Sequence, residues 1–242
     1  MKKNYTLLSV LALAFLCLSY STSKKKVRLL MFSKTAGYRH ASITKGKEAI
    51  RLLAEKNKFT IDTTEDATYF TKKNLKKYAA VIFLSTTGDV LNEEQQKAFE
   101  NFIRSGKGFM GIHAATDTEY DWPWFVKLVG ANFLNHPKPQ KAKLIISDNT
   151  NLSVMHLPAT WERMDEWYNF KNINPRIKVI MTIDETSYEG GKNGANHPMA
   201  WYHEYDGGRS FYTALGHTDE SYTEPLFLQH LLGGIKYVTG LK

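Results

Sequence analysis

Residues 108–117 read Gly-Phe-Met-Gly-Ile-His-Ala-Ala-Thr-Asp, an apolar run that ends directly at a histidine. The run predicts a buried β-strand. Residues 92–106, ahead of this run, predict a helix. They begin with an N-cap asparagine and two glutamates, carry apolar residues at helical spacing and end at a glycine. Residues 79–84 are apolar throughout and predict a central strand. Strand, helix and strand joined by short links favour a parallel sheet.

The same alternation extends along the chain. Strands are expected at 27–32 and 59–61, with Ser42 as a candidate cap for the helix between them. The second half is less regular. A short helix is expected at 122–129, strands at 142–147, 177–183, 199–205 and 209–215, and an amphipathic helix at 225–238. The sequence thus predicts an α/β fold with a mostly parallel sheet, flanked by helices and extended by a β-hairpin around Asp206-Gly207-Gly208.

Length and composition agree with one domain, expected over residues 25–242. The chain has 242 residues, 43% of them hydrophobic, with neither an internal repeat nor a linker. Its formal charge of +8 comes from scattered lysines. A nucleic-acid groove would need a basic stripe interleaved with stacking aromatic residues, so a solvated surface is the expected role of these lysines and no nucleic-acid partner is predicted.

The first 21 residues have the layout of a secretory signal peptide. Lys2 and Lys3 precede an apolar run at 7–18, and small residues follow at 19–21. The expected location is the periplasm or the cell exterior, with no membrane-spanning segment after cleavage. A lipid anchor at Cys17 is the alternative, although Leu16 stands where a lipoprotein signal has a small residue. Cys17 is the sole cysteine, so the mature chain would have no cysteine nucleophile.

Three histidines follow predicted strands. His40 comes after the first strand, His113 after the fourth and His217 after the last. Loops that follow neighbouring parallel strands meet at one edge of the sheet, so these histidines are expected to share a pocket. Histidine is a general acid or base near neutral pH and also a metal ligand, and Asp117 is near enough to orient an imidazole or bind a metal. The alternative is that each histidine only packs or lies on the surface.

Any metal site must come from distant loops, because the chain has no HExxH, CxxC or DxDxDG motif. A divalent ion such as zinc suits histidine and carboxylate ligands, and His113 and His217 are the candidate ligands. No GxSxG elbow, phosphate-binding GxxxxGK loop or dinucleotide-binding GxGxxG loop is present. The sequence therefore gives no support to phosphoryl transfer or dinucleotide binding.

Aromatic and carboxylate side chains are dense at residues 161–168. Such a stretch is typical of a sugar platform, in which rings cover apolar sugar faces and carboxylates bind hydroxyl groups. A helix end or loop packed by tryptophan explains it equally well. The candidate substrate-binding residues are Tyr38, Arg39, Thr87, Glu166, Trp167, Tyr168 and Asp219.

Four segments together resemble the trehalose-utilisation, or ThuA-like, family: residues 32–40, 108–117, 165–168 and 215–219. The resemblance covers nearly all of the mature chain. It implies a flavodoxin-like, three-layer fold similar to class I glutamine amidotransferases. His113 occupies the turn that carries the catalytic cysteine in those enzymes, and His217 is similar to their late histidine. Without the cysteine, amidotransferase chemistry is not expected.

The resemblance also implies a small-molecule sugar as the substrate. The expected reaction is that of a lyase, hydrolase or isomerase acting on a disaccharide, a glucoside or its 3-keto derivative. His113 or His217 would remove the acidic proton next to the ketone, while a metal or Arg39 stabilises the enolate. A non-catalytic carbohydrate-binding protein is one alternative, and an interaction module of an exported complex is another. The late hairpin could pair two copies into a homodimer.

Overall fold

The computed structural model describes residues 27–241. The expected signal peptide at 1–21 and the alternative anchor at Cys17 lie outside the described residues. Within the described part of the chain, no helix combines the length and the apolar character that a membrane crossing requires.

Strands and helices alternate through the first half, and strands dominate the second. The strands are β1 (Arg28–Phe32), β2 (Thr60–Thr64), β3 (Ala80–Leu84), β4 (Gly108–Ile112), β5 (Asn132–Asn135), β6 (Gln140–Ile146), β7 (Thr160–Asp165), β8 (Asn169–Lys171), β9 (Lys178–Ile183), β10 (Pro198–Tyr205) and β11 (Gly208–Thr213). The helices are α1 (Ile43–Lys56), α2 (Lys72–Leu75), α3 (Glu93–Arg104), α4 (Pro123–Val129) and α5 (Pro225–Thr239).

Nine strands form one sheet in the order β2-β1-β3-β4-β11-β10-β9-β6-β7. The first five are parallel to one another, and the remaining pairs are antiparallel. The order reverses direction at β1, because β2 lies on one side of it and β3 on the other. Ligands of such sheets bind beyond the carboxyl ends of the strands near this reversal.

The helices form two groups, one on each face of the sheet. The α1 helix contacts α5, while α2 contacts α3. Right-handed crossovers place α1 on one face, and α2 and α3, which follow the reversal, on the other. Strands β3 and β4 are buried at every residue because both of their faces are covered. This confirms the predicted α/β architecture with a mostly parallel sheet and flanking helices.

The α3 helix begins as its sequence predicts. The Asn92 side chain accepts a hydrogen bond from the Gln95 backbone amide, and the Gln95 side chain accepts one from the Asn92 backbone amide. The expected cap of α1 is different. Ser42 occupies the N-cap position, but its hydroxyl donates to the carbonyl of Gly216 at 3.2 Å and makes no capping bond. Ser42 therefore ties the start of α1 to the loop that follows β11.

The predicted hairpin is confirmed, since β10 and β11 are antiparallel and join at residues 206–207. The sequence does not predict its setting: β11 also pairs with β4 in parallel, and β10 leads into β9, β6 and β7. Residues 160–165 form β7, whereas the sequence pattern indicates a sugar platform, a loop or a helix end there. Strands β5 and β8 pair separately as a two-stranded ribbon.

Candidate functional site

The structure brings His40, His113 and His217 together at the carboxyl ends of the parallel strands. Their ring centroids are 4.7 Å apart for His40 and His113, 5.3 Å for His40 and His217, and 5.2 Å for His113 and His217. His113 directly follows β4, and His217 follows the neighbouring strand β11. His40 reaches the same place from the loop after β1.

The backbone and ring of His113 are both held in place. Its backbone φ of 51° lies in the left-handed region, which residues other than glycine rarely adopt. Nδ1 donates to the Ala214 carbonyl at 2.8 Å, and the Tyr212 hydroxyl donates to the His113 carbonyl at 2.7 Å. Because Nδ1 is bound to the Ala214 carbonyl, Nε2 is the ring nitrogen that faces His217 and Glu166.

Glu166 lies at the centre of the cluster. Its Oε2 is 3.1 Å from His217 Nδ1, 3.5 Å from His113 Nε2 and 4.0 Å from His40 Nε2. Its Oε1 is 3.0 Å from Nδ1 of His136. The sequence pattern places Glu166 among the substrate-binding residues and gives no signal for His136. We call His40, His113, Glu166 and His217 the His/Glu group.

Asp165 fixes the loop that carries His217. This carboxylate is fully buried and accepts hydrogen bonds from the backbone amides of Gly216 and His217, both at 3.0 Å. Arg163 lies 3.1 Å from Asp165 and donates to the hydroxyl of Ser221 at 2.7 Å. The end of β7 therefore fixes the loop that carries His217 beside the His/Glu group.

Three members of the His/Glu group, His40, Glu166 and His217, have shifted pKa values. Burial, reinforced by the neighbouring histidines, lowers the pKa of His40 to about 3, so this ring is neutral at neutral pH. Burial alone would raise the pKa of Glu166, but hydrogen bonds from His113 and His217 outweigh it and hold that pKa far below its usual range. Burial likewise opposes protonation of His217, yet its bond to Glu166 raises the pKa of the imidazole.

The His/Glu group could hold a metal ion. One ligand atom from each of its four residues lies within 4.8 Å of the others. Tetrahedral zinc ligands at about 2.0–2.1 Å from the ion are about 3.4 Å from one another. The distances of 3.1, 3.2 and 3.5 Å among His217 Nδ1, His113 Nε2 and Glu166 Oε2 are close to that spacing. Histidine nitrogens with a carboxylate oxygen form a donor set that suits a borderline cation.

Tyr168 and Tyr38 lie beside the group. The buried ring of Tyr168 is 4.5 Å from that of His113, and its hydroxyl is 3.5 Å from His40 Nε2. Tyr38 is 68% exposed and meets His40 edge-on at 4.9 Å. The Thr87 hydroxyl donates to the Tyr38 carbonyl and so supports the loop rather than the cluster itself.

The remaining candidate residues are not members of the His/Glu group. Arg39 forms a two-pronged ion pair with Glu65. Trp167 is fully buried and donates its indole N–H to the carbonyl of Gln140. Asp219 is exposed at the start of a 3-10 turn. Asp117 is half-buried and accepts from the Tyr120 hydroxyl at 2.7 Å, and burial raises its pKa.

Comparison with known proteins adds a family and a fold. The family model described as "ThuA: Trehalose utilisation" matches residues 28–238. A putative ThuA-like protein from Bacteroides uniformis superposes with a TM-score of 0.75 at 21% identity, covering 89% of this chain and 93% of its own. Another putative ThuA-like protein, from Parabacteroides merdae, superposes with a TM-score of 0.72 at 18% identity, covering 90% of this chain and 91% of its own.

A more distant structure shares the same architecture. A putative GMP synthase protein from Thermoplasma acidophilum superposes with a TM-score of 0.54 at 10% identity, covering 89% of this chain and 96% of its own. The fold is therefore of the glutamine amidotransferase type, as the sequence resemblance implied. A search of curated proteins finds no match to the sequence.

Proposed function

The chain belongs to the ThuA family, and we propose that it is an exported enzyme acting on a glucoside or its 3-keto derivative. The association of this family with trehalose utilisation indicates a sugar-related role. One observation carries the proposal: three histidines and a carboxylate converge, largely buried, at the carboxyl edge of the parallel strands. Buried titratable groups with shifted pKa values cluster at functional sites. Export rests on the signal-peptide pattern of residues 1–21.

The substrate would enter from the side of His217 and His136. Their side chains are 23% and 40% exposed, whereas those of His40 and His113 are 4% and 0% exposed. The exposed ring of Tyr38 lies beside His40. An aromatic ring beside polar groups is suited to the apolar face and the hydroxyl groups of a sugar.

The proposed chemistry starts from the acidity of the C–H next to a ketone. A divalent ion held by the His/Glu group would supply Lewis acidity at the keto oxygen. Asp117 lies outside that group, four residues beyond His113, and burial raises its pKa, which makes it a stronger base than an ordinary aspartate. Asp117 is therefore the proposed base. Arg39 is paired with Glu65, so in this proposal it does not stabilise the negative charge of the enolate.

Turnover of a 3-keto-glucoside by the purified mature protein tests this function. The double variant His113→Ala, His217→Ala is expected to lose at least about 100-fold in kcat/KM, as is typical when catalytic groups are removed. Asp117→Asn keeps an oxygen that accepts from Tyr120 but is a far weaker base, so it should lose kcat while the His/Glu group stays intact.

His156→Ala is the matched control, because this half-buried histidine contacts the Leu226 carbonyl and lies outside the cluster. Unchanged turnover by the double variant would refute the proposed site. Tight sugar binding by the wild type with no turnover would support the alternative of a carbohydrate-binding protein on the same fold.

A further inference from the structure

His136 lies beside the His/Glu group but is not one of its four members. Its Nδ1 is 3.0 Å from Oε1 of Glu166, whereas the three histidines of the group approach the other oxygen, Oε2. Within residues 27–241, His136 is the only side chain that reaches Oε1 in a hydrogen bond or an ion pair. The two oxygens of this carboxylate therefore have different partners.

Contacts other than the one with Glu166 hold the ring of His136 in place. Its Nδ1 is 2.9 Å from the carbonyl oxygen of Pro137, which can only accept, so Nδ1 is the donor. The ring stacks on that of Tyr168 at a centroid distance of 5.8 Å and an angle of 22°, and it lies 5.8 Å from the ring of Phe133. The N–H that faces Glu166 is thus positioned by packing that does not depend on the carboxylate.

The contact at Oε1 bears on how Glu166 can bind an ion. A carboxylate binds through one oxygen or through both, and the terminal torsion of glutamate is broad, so an unsupported carboxylate turns easily between these arrangements. An N–H on Oε1 directs this oxygen away from the group and leaves Oε2 as the ligand atom. Partners of this kind orient the ligands of metal sites, and their removal typically weakens metal binding by about 10–100-fold.

We propose that His136 is a positioning residue of the metal site: its Nδ1–H holds Oε1 of Glu166 so that Oε2 alone faces the three histidines. This role rests on the metal site of the proposed function and adds to it a residue that the strand-end pattern does not indicate. Because the side chain of His136 is 40% exposed, its replacement should leave the fold intact.

Two substitutions separate the N–H donor from the ring. His136→Phe keeps an aromatic ring against Tyr168 and Phe133 but has no donor, and His136→Asn has a donor near the position of Nδ1 but no ring. Zinc affinity is measured by competition with a chromogenic chelator. His136→Phe should bind zinc at least about tenfold more weakly than wild type, and His136→Asn should bind it more tightly than His136→Phe. His156→Phe makes the same change outside the cluster and should bind zinc as wild type does.

Cobalt in place of zinc gives a readout that a merely structural role of His136 would not change. Four-coordinate cobalt absorbs visible light more strongly than five-coordinate cobalt, so the spectrum reports how many atoms bind the ion. In His136→Phe both oxygens of Glu166 are free to bind, and the absorption per bound cobalt should fall. In wild type and His156→Phe it should stay high.

Equal zinc affinity of His136→Phe and wild type would overturn this role, as would unchanged cobalt absorption or a loss in His136→Asn as large as that in His136→Phe. Wild-type protein that binds no zinc would overturn the metal site and the role together. Zinc bound by wild type, lost in His113→Ala and unchanged in His136→Phe would overturn the role alone. A failure of the sugar reaction is reported separately by the turnover assay.

Discussion

His113 is the residue at which local strain and the candidate site coincide. A non-glycine residue in the left-handed region costs on the order of 1 kcal/mol and persists only where its surroundings hold it. Here the bonds to Ala214 and from Tyr212 hold both the ring and the backbone. The turn directs the imidazole towards His217 and Glu166 instead of back along the strand. His113 is therefore preorganised before any ligand arrives.

Asp165 gives a prediction at the same scale. Asp165→Asn should lower the free energy of unfolding by about 2 kcal/mol, because it removes one of the two carboxylates paired with Arg163 and replaces one acceptor oxygen with an amide. Denaturant unfolding followed by circular dichroism measures the loss. Asp219→Asn makes the same change at an exposed site and should shift stability by less than about 0.5 kcal/mol. Equal effects of the two variants would contradict this role of Asp165.

The sequence could predict only part of the candidate site. His40, His113 and His217 could be grouped because each follows a strand and parallel strands end at one edge. The same reasoning does not predict that Glu166 lies at the centre of the group, or that Asp165 fixes the loop that carries His217. Both follow from β7, which joins the sheet through an antiparallel pairing with β6 that has no local sequence signature. His136 follows β5, a strand of the separate ribbon, and no spacing in the sequence relates it to the others.

At the scale of elements, the regular first half was the most predictable. Apolar runs of four to six residues identify β1, β3 and β4, because strands covered on both faces have no polar side to interrupt them. The position of β11 beside β4 depends instead on where α5 and the hairpin pack, which is a property of the assembled sheet. Strand β2 is the intermediate case: the sequence predicts it at 59–61, and it extends over Thr60–Thr64 at the edge of the sheet.

The capping box of α3 yields the prediction for this scale. Asn92→Ala should destabilise the protein by about 1 kcal/mol, because it removes the side-chain bond to the Gln95 amide and leaves that donor unpaired. Thermal or denaturant unfolding gives the value. Asn101→Ala makes the same substitution at an exposed position within α3, where alanine is the better helix former. That control should stabilise by a few tenths of a kcal/mol, and a loss as large as that of Asn92→Ala would contradict the capping account.

At the scale of the molecule, the candidate site is made of segments that are distant in sequence. The contact between His113 and His217 spans 104 residues, and that between His40 and Tyr168 spans 128. The five parallel strands bring the three histidines to one edge, and the antiparallel extension supplies the carboxylate. Such a group forms only when both halves of the sheet are assembled, so binding at this site should also stabilise the whole fold.

Metal content tests the central claim most directly. The tag-free mature protein is loaded with zinc, passed through a desalting column and measured by elemental analysis, alongside His113→Ala and the control His156→Ala. Wild type and the control are expected to retain about one equivalent of zinc per chain, because the His/Glu group supplies four ligand atoms at suitable spacing. His113→Ala should retain little or none. Equal zinc retention by His113→Ala and wild type, or no retention by any of the three proteins, would contradict a metal-holding site at the strand ends.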